Sequence, residues 1–168
     1  EIINYDNKTE RDQYKYSNTV ITGYVPHGLN HELFKPLDKN DEVYKKMHKQ
    51  IKQDNNVDFV LMWNNRNIRR KQPGDVMLAF KTFVDRLPKQ DRIKVALLMH
   101  TEPIDNNGTD LKAIHKEIAP HCKIIFSQAK ISAVELNAMY NVADVVINIA
   151  SNEGWGLSST EAMLSGTP

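Results

Sequence analysis

The chain has 168 residues, 40% of them apolar, and its 22 Lys and Arg nearly balance 21 Asp and Glu to leave a formal net charge of +1. That length suits one domain with its own core, and the near-neutral balance gives no field for nucleic acid or for an acidic membrane. Cys122 is the one cysteine and cannot close an internal disulfide, which suits a reducing, cytoplasmic setting, and no apolar run approaches the roughly 20 residues that span a bilayer.

Residues 1–18 are polar and carry little periodicity, and they read as a linker or the remnant of an upstream segment. Thr19 to Val25 is rich in β-branched residues and predicts a short strand, broken by Pro26-His27-Gly28. A loop to Pro36 follows. Asn40 or Asp41 can cap a helix running to about Gln53, with Val43, Met47 and Ile51 on one face. Lys45, Lys46, Lys49 and Lys52 fall mostly elsewhere and read as a solvated face.

Phe59 to Trp63 is a continuous apolar run, short enough for a buried strand. After it comes Asn64 to Gln72, with four cations (Arg66, Arg69, Arg70, Lys71) and no acid. Pro73-Gly74-Asp75 starts a helix whose stripe is Val76, Phe80, Phe83, Val84 and Leu87, closed by Pro88. Lys94 to Met99 predicts the next strand. His100 to Asn107 is a polar loop ending in an Asn107-Gly108 turn, and Thr109 or Asp110 caps a helix through Leu111, Ile114 and Ile118. Lys123 to Ser127 is a short strand. Ser132 and Glu135 form a capping box for a helix to about Val142, and Val145 to Ile149 is the last strand, feeding a glycine loop and a final helix.

Strands that are short, continuous and apolar are covered on both faces. The order therefore predicts an α/β fold, a Rossmann-like parallel sheet with helices on both faces. In such a sheet ligands bind beyond the carboxyl ends of the strands, where three loops collect: 64–74, 127–131 and 150–158. The basic loop can fork guanidinium and ammonium donors onto phosphate oxygens, although surface loops are often basic without function. It lacks the Gly-Lys-Ser/Thr ending of a nucleotidase phosphate loop. In the last loop, Glu153 and Glu161 stand eight residues apart. A carboxylate can accept bonds from vicinal sugar hydroxyls, and Gly154 and Gly156 let the backbone approach a ligand; the bland alternative is one capping acid and one surface acid. The six histidines, His27, His31, His48, His100, His115 and His121, show no zinc-ligand spacing. His27 and His100 could line a cleft but read more simply as structural or exposed, and Cys122 as a buried apolar residue.

Taken together, four stretches resemble retaining glycosyltransferases of family 4, which have the GT-B fold of two Rossmann-like domains facing a cleft. Glu153-Gly-Trp-Gly-Leu with Glu161-Ala-Met and Gly166-Thr-Pro is similar to the family's E-x7-E signature. Val25-Pro-His-Gly-Leu-Asn with Phe34-Lys-Pro36 is similar to its entry into the C-terminal domain, with His27 where Asn is usual. Asn65-Arg66 to Lys71 is similar to its diphosphate loop, with Asn65 and Gln72 in place of glycines, and Ser132 to Asp144 matches its Glu-Leu…Tyr…Ala-Asp helix.

The resemblance implies a donor-binding domain over residues 19–168 and a hexosyl transfer from a nucleotide sugar, such as a UDP or GDP sugar, with retention, as in carbohydrate biosynthesis. Arg66 and Lys71 would hold the donor diphosphate and, with Glu153 on the donor sugar, carry the reaction. Gly154, Trp155, Gly156 and Leu157 would bring backbone N–H groups to sugar and phosphates. Glu161 would grip the ribose, and Gln128 to Ile131 would lie against the base. No cofactor or divalent metal is expected, because arginine and lysine replace it. The acceptor (glycan, lipid or protein) would be held by an N-terminal domain that this chain lacks, as would any membrane association. A chain starting at Glu1 and stopping at Pro168 is accordingly expected to be a fragment, truncated near the domain's C-terminal end and inactive alone. Two other readings stay open: a non-catalytic nucleotide- or sugar-binding module of the same fold, and a ligand-free flavodoxin-like interaction domain.

Overall fold

The computed structural model describes residues 27–168; the 1–18 linker and the Thr19–Val25 strand lie outside the described residues. Asp41 caps the first helix, α1 (Glu42–His48), by accepting from the Val43 and Tyr44 N–H groups, and the helix continues as a π turn over Lys49–Gln53. β1 is Phe59–Asn64, α2 Pro73–Arg86, α3 Lys89–Arg92, β2 Val95–His100 and α4 Leu111–Ile118. Then come β3 (Ile124–Ser127), α5 (Ala133–Val142), β4 (Val145–Val146) and α6 (Leu157–Leu164). The Ser132–Glu135 capping box is fully formed at the start of α5. The four-residue helix α3 has no apolar stripe to announce it.

Among the described residues the four strands are parallel, in the order β3-β2-β1-β4. Phe59 lies opposite Val95 and Asn64 opposite His100, while Leu61 and Met62 lie opposite Val145 and Val146. The period of two divides the strand residues between two cores. Val60, Met62, Ala96 and Leu98 pack on one face with Met47, Ile51, Met139 and Tyr140. Trp63, Leu97 and Met99 pack on the other with Val76, Phe80, Val84 and Leu111. The sheet is thus sandwiched, as its continuous apolar strands require.

Some elements depart from expectation. β4 pairs at two residues rather than five. Ile147 N still donates to Met62 O at 2.9 Å, but the next side chain, Asn148, turns its Oδ1 to the Ala150 N–H at 3.1 Å and bends the chain off the sheet. Ile118 is exposed rather than in the α4 stripe. Lys52 does not belong to a solvated face: its ammonium donates to both oxygens of Asp144, at 2.9 and 2.7 Å, and to Asp58 O. Asp144 Oδ2 also accepts from Val60 N at 2.7 Å, while Asp144 N donates to Val60 O at 2.9 Å. This carboxylate therefore sets where β4 joins β1. Asp144→Ala should lower stability by roughly 2 kcal/mol, the loss of charge-assisted bonds to a half-buried carboxylate, read as a lower urea midpoint; an unchanged midpoint would remove Asp144 from that role.

Candidate functional site

The strand order reverses between β1 and β4. β1 and β2 are joined through α2 in one direction, and the chain then crosses from β3 through α5 to the far side of β1. At such a reversal the loops after the two adjoining strands part in opposite directions and leave a crevice at their carboxyl ends. A cleft of about 1160 Å³ lies there, lined from β1 and its loop by Asn64, Asn65, Arg70 and Lys71 and from the loop after β4 and the start of α6 by Glu153 to Ser158. Glu161, Leu136, His27 and Gly28 complete it.

The two loops are laced together. After β1 a 3-10 turn, Arg69–Lys71, carries the cations. Ser151 N donates to Arg70 O at 2.9 Å, and Arg70 Nη1 donates to Asn152 O at 2.9 Å and to Glu153 Oε2 at 3.1 Å. The Lys71 side chain is only 10% exposed, and its ammonium donates to Glu153 Oε1. Asn148 Nδ2 donates to the same oxygen at 3.0 Å. Burial alone would push the Glu153 carboxyl up, but the bonds from Lys71, Asn148 and Arg70 outweigh it and hold the carboxyl below its usual range.

On the other side of the cleft, Glu161 Oε2 accepts the Tyr140 hydroxyl at 2.8 Å, and that hydroxyl accepts from Asn64 Nδ2 at 2.7 Å. Burial raises the Glu161 carboxyl above its ordinary value, and the Tyr140 bond offsets this only in part. Tyr140 is fully buried and its phenol is pushed far up, chiefly by burial, so it remains a donor. Between the acids, Gly156 sits at φ 84°, a left-handed geometry that costs an L residue about 1–2 kcal/mol. It starts α6 with no side-chain cap, which leaves the first N–H groups of the helix without intrahelical partners beside the cleft.

The structure brings Lys71, Glu153, Gly154, Trp155, Gly156, Leu157 and Glu161 around one cleft. Arg66 is not among its lining residues. Its guanidinium is paired with Asp105 at 2.9 and 3.4 Å, which raises Arg66 and lowers Asp105, in both cases mainly through the side-chain bond. Arg70 lines the cleft instead. Gln128 is exposed and Ile131 packs against the α1–α5 core; neither lines the cleft, whereas Leu136 does. His27 lines it too, its ring 5.9 Å from that of Trp155. His100 instead contacts Ser127 Oγ at 2.9 Å and is held below its ordinary value by burial.

Asn64, Asn67, Tyr140 and Asn148 have no counterpart in the sequence reading of the site. Asn67 is fully buried. Its amide donates to three carbonyls, those of Glu102, Pro103 and Thr109, and so pins the basic loop to the 102–109 loop. Gly108 is needed there, since a Cβ would come within 2.1 Å of Asn67 O. Asn67 lies in the loop beyond β1, and nothing in the sequence says that it is buried or which carbonyls it meets.

No family model matches the sequence, and no curated protein matches it. Solved structures do match. The C-terminal domain of a glycosyl transferase group 1 family protein, LpcC, from Francisella tularensis aligns with a TM-score of 0.59 at 20% identity, over 83% of this chain and 68% of that one. An α,α-trehalose-phosphate synthase (UDP-forming) from Burkholderia xenovorans, in complex with glucose-6-phosphate, gives 0.59 at 16% identity over 80% of this chain and 32% of that one. The catalytic domain of starch synthase IV from Arabidopsis thaliana, bound to ADP and acarbose, gives 0.53 at 13% identity over 83% and 30%. The fold shared with them is the Rossmann-like parallel α/β sheet with helices on both faces. At these identities the likeness extends to the fold, and this chain spans about a third of the two larger proteins.

Two outcomes are expected from this geometry. Gln72 stands at φ 51°, ψ 46° at the end of the basic turn, so Gln72→Gly should relieve about 1–2 kcal/mol of left-handed strain against roughly 0.5–1 kcal/mol of added chain entropy, leaving the urea midpoint equal or higher; a clear fall would show that the Gln72 side chain is needed. The stabilisation from Glu153 is present above the unfolded carboxyl range and is lost as pH falls through its depressed folded value. The stability gap between wild type and Glu153→Gln should therefore be open at about pH 7 and close towards about pH 3. A gap independent of pH would contradict an ionised Glu153.

Proposed function

We propose that this chain is the donor-binding domain of a retaining, nucleotide-sugar-dependent hexosyltransferase of the family 4 type. The observation that carries the proposal is Lys71: a lysine nine-tenths buried at the crevice between β1 and β4, beside the open N-terminus of α6. That is an anion site, and two cations, Lys71 and Arg70, suit a diphosphate. The likeness to domains of glycosyltransferases, one bound to ADP and another crystallised with a sugar phosphate, supports the same reading.

In this mechanism the diphosphate takes up Lys71 and Arg70, and those cations stabilise the charge that grows on the leaving nucleoside diphosphate. Glu153, released from them, accepts hydroxyls of the donor sugar. Backbone N–H groups from Gly154 to Leu157 approach the sugar and phosphates. Glu161 holds the ribose from the opposite side. Arg66 reaches the phosphates only by leaving Asp105, so it acts at the rim of the cleft while Arg70 acts within it. The cations supply the charge neutralisation, and no metal enters the proposal. The acceptor belongs to a second domain, so the isolated chain binds donor weakly and does not turn it over.

Calorimetry with uridine, guanosine and adenosine diphosphates should find one that binds, and Lys71→Ala and Glu161→Ala should each weaken it about 10–100-fold, the worth of one charge-assisted contact. Unchanged affinity in both variants would contradict the site. Turnover by a protein that carries both halves separates this reading from a binding module without chemistry.

A further inference from the structure

The chain has two tryptophans, and they lie in opposite settings. Trp63 is fully buried in the core, whereas Trp155 lines the cleft and is 40% exposed, with the exposed His27 and Leu157 also in the lining. Deeper in the same cleft the side chains are drier, 21% exposed for Glu153 and 10% for Lys71. A large apolar ring left open at the mouth of a charged crevice marks a contact surface. The ring is also held. His27 lies against it, with ring centroids 5.9 Å apart and planes 30° apart, within the range of aromatic pairs. A carbonyl only accepts, so the 2.9 Å contact of His27 Nδ1 with Gly28 O places a hydrogen on Nδ1. In the neutral ring this leaves Nε2 as an acceptor, and it has no partner among the described residues. The glycines on either side of Trp155 keep the neighbouring space open. A Cβ at Gly154 would meet nothing within 4 Å, and one at Gly156 only the Cγ of Glu153, at 4.0 Å.

We infer that the Trp155 and His27 side chains form a platform at the mouth of the cleft against which a pyranose ring stacks. This rests on the donor-site reading and deepens it, by adding a contact for the face of a sugar to the carboxylate proposed for its hydroxyls. A pyranose carries hydroxyls around its rim and C–H bonds on its faces. Those C–H hydrogens are slightly positive and meet the negative face of an indole, while water leaves both surfaces. The rim hydroxyls donate, and acceptors stand close by in the ionised Glu153 and in His27 Nε2. An aromatic surface with acceptors beside it is therefore matched to the two-sided chemistry of a sugar. The same chemistry is offered by the hexose of a nucleotide sugar and by a sugar that receives it. Trp155 acts here through its side chain, in addition to any backbone N–H it presents, and His27 contributes a ring where the resembling family has asparagine.

The test uses the 168-residue chain and two readouts. Calorimetry compares the nucleoside diphosphate that binds with its glucose, mannose and galactose conjugates. One conjugate should bind about three- to tenfold more tightly than the bare diphosphate. Trp155→Ala should bring that ratio to about one, and His27→Asn should lower it part of the way. The ratio cancels any effect of either change on the nucleotide itself. The second readout is quenching of tryptophan fluorescence by acrylamide, which reports Trp155 because Trp63 is buried. A ratio lost in Trp155→Ala assigns the platform to the transferred sugar. Protection of Trp155 by methyl glucoside, mannoside or galactoside, with no such ratio, assigns it to the acceptor sugar. A ratio that survives Trp155→Ala, or no ratio, together with no protection by any glycoside, would overturn the platform and leave the donor site standing. Equal protection by the bare diphosphate and its conjugates would show a base stacked on Trp155, and would overturn it too. Protection by a glycoside without binding of any nucleoside diphosphate would remove the donor site and leave the platform.

Discussion

A lysine nine-tenths removed from solvent must be paired, because a desolvated ammonium without a partner costs several kcal/mol. Lys71 meets that demand with Glu153, contributed by the loop after β4. The pair reaches across the point where the sheet reverses its strand order, and most of what surrounds it exists to hold the two ends in place. Asn67 braces the basic turn from behind, the Ser151 N–H and the Arg70 guanidinium join the two loops, and Asp144 sets where β4 meets β1. The crevice is open because the topology parts the loops there, and it is charged because this pair draws them back together.

The two acids of the cleft consequently differ in character. Glu153 is surrounded by cationic and amide donors and is held ionised. Glu161 faces a phenol in a drier setting and is easier to protonate. Under the proposed function, a carboxylate already bound by cations is the group that an incoming diphosphate would displace, freeing it for sugar hydroxyls. A carboxylate held by one neutral donor keeps an oxygen available for a neutral diol. The proposed division of labour between transferred sugar and ribose would thus have an electrostatic basis in this chain.

Much of the fold was legible in the sequence, for a physical reason. Continuous apolar runs such as Phe59 to Trp63 mark strands covered on both faces, and the helices carry explicit stops and caps at Pro73, Pro88, Asp110 and Ser132. The end of β4 was not legible, because Ile147 and Ile149 look like strand residues while the turn is made by the Asn148 side chain. The glycine-flanked acids and Lys71 could be assigned to one site because residue type, loop position and strand order agree. Arg70 was hard to separate from Arg66 and Arg69 in a run of cations; the left-handed Gln72 and the 3-10 turn decide which of them faces the cleft. Tyr140 was hidden for the opposite reason: on a helix stripe it reads as core, which it is, and its hydroxyl becomes informative only once Asn64 and Glu161 are seen on either side of it.

The most direct measurement is a crystal structure of this chain soaked with the nucleoside diphosphate that binds it. Phosphate oxygens should lie against the Lys71 ammonium and the first N–H groups of α6, with Glu153 detached from Lys71 and the ribose hydroxyls at Glu161. A diphosphate bound elsewhere, with the Lys71–Glu153 pair intact, would contradict the assignment of this crevice as the donor site.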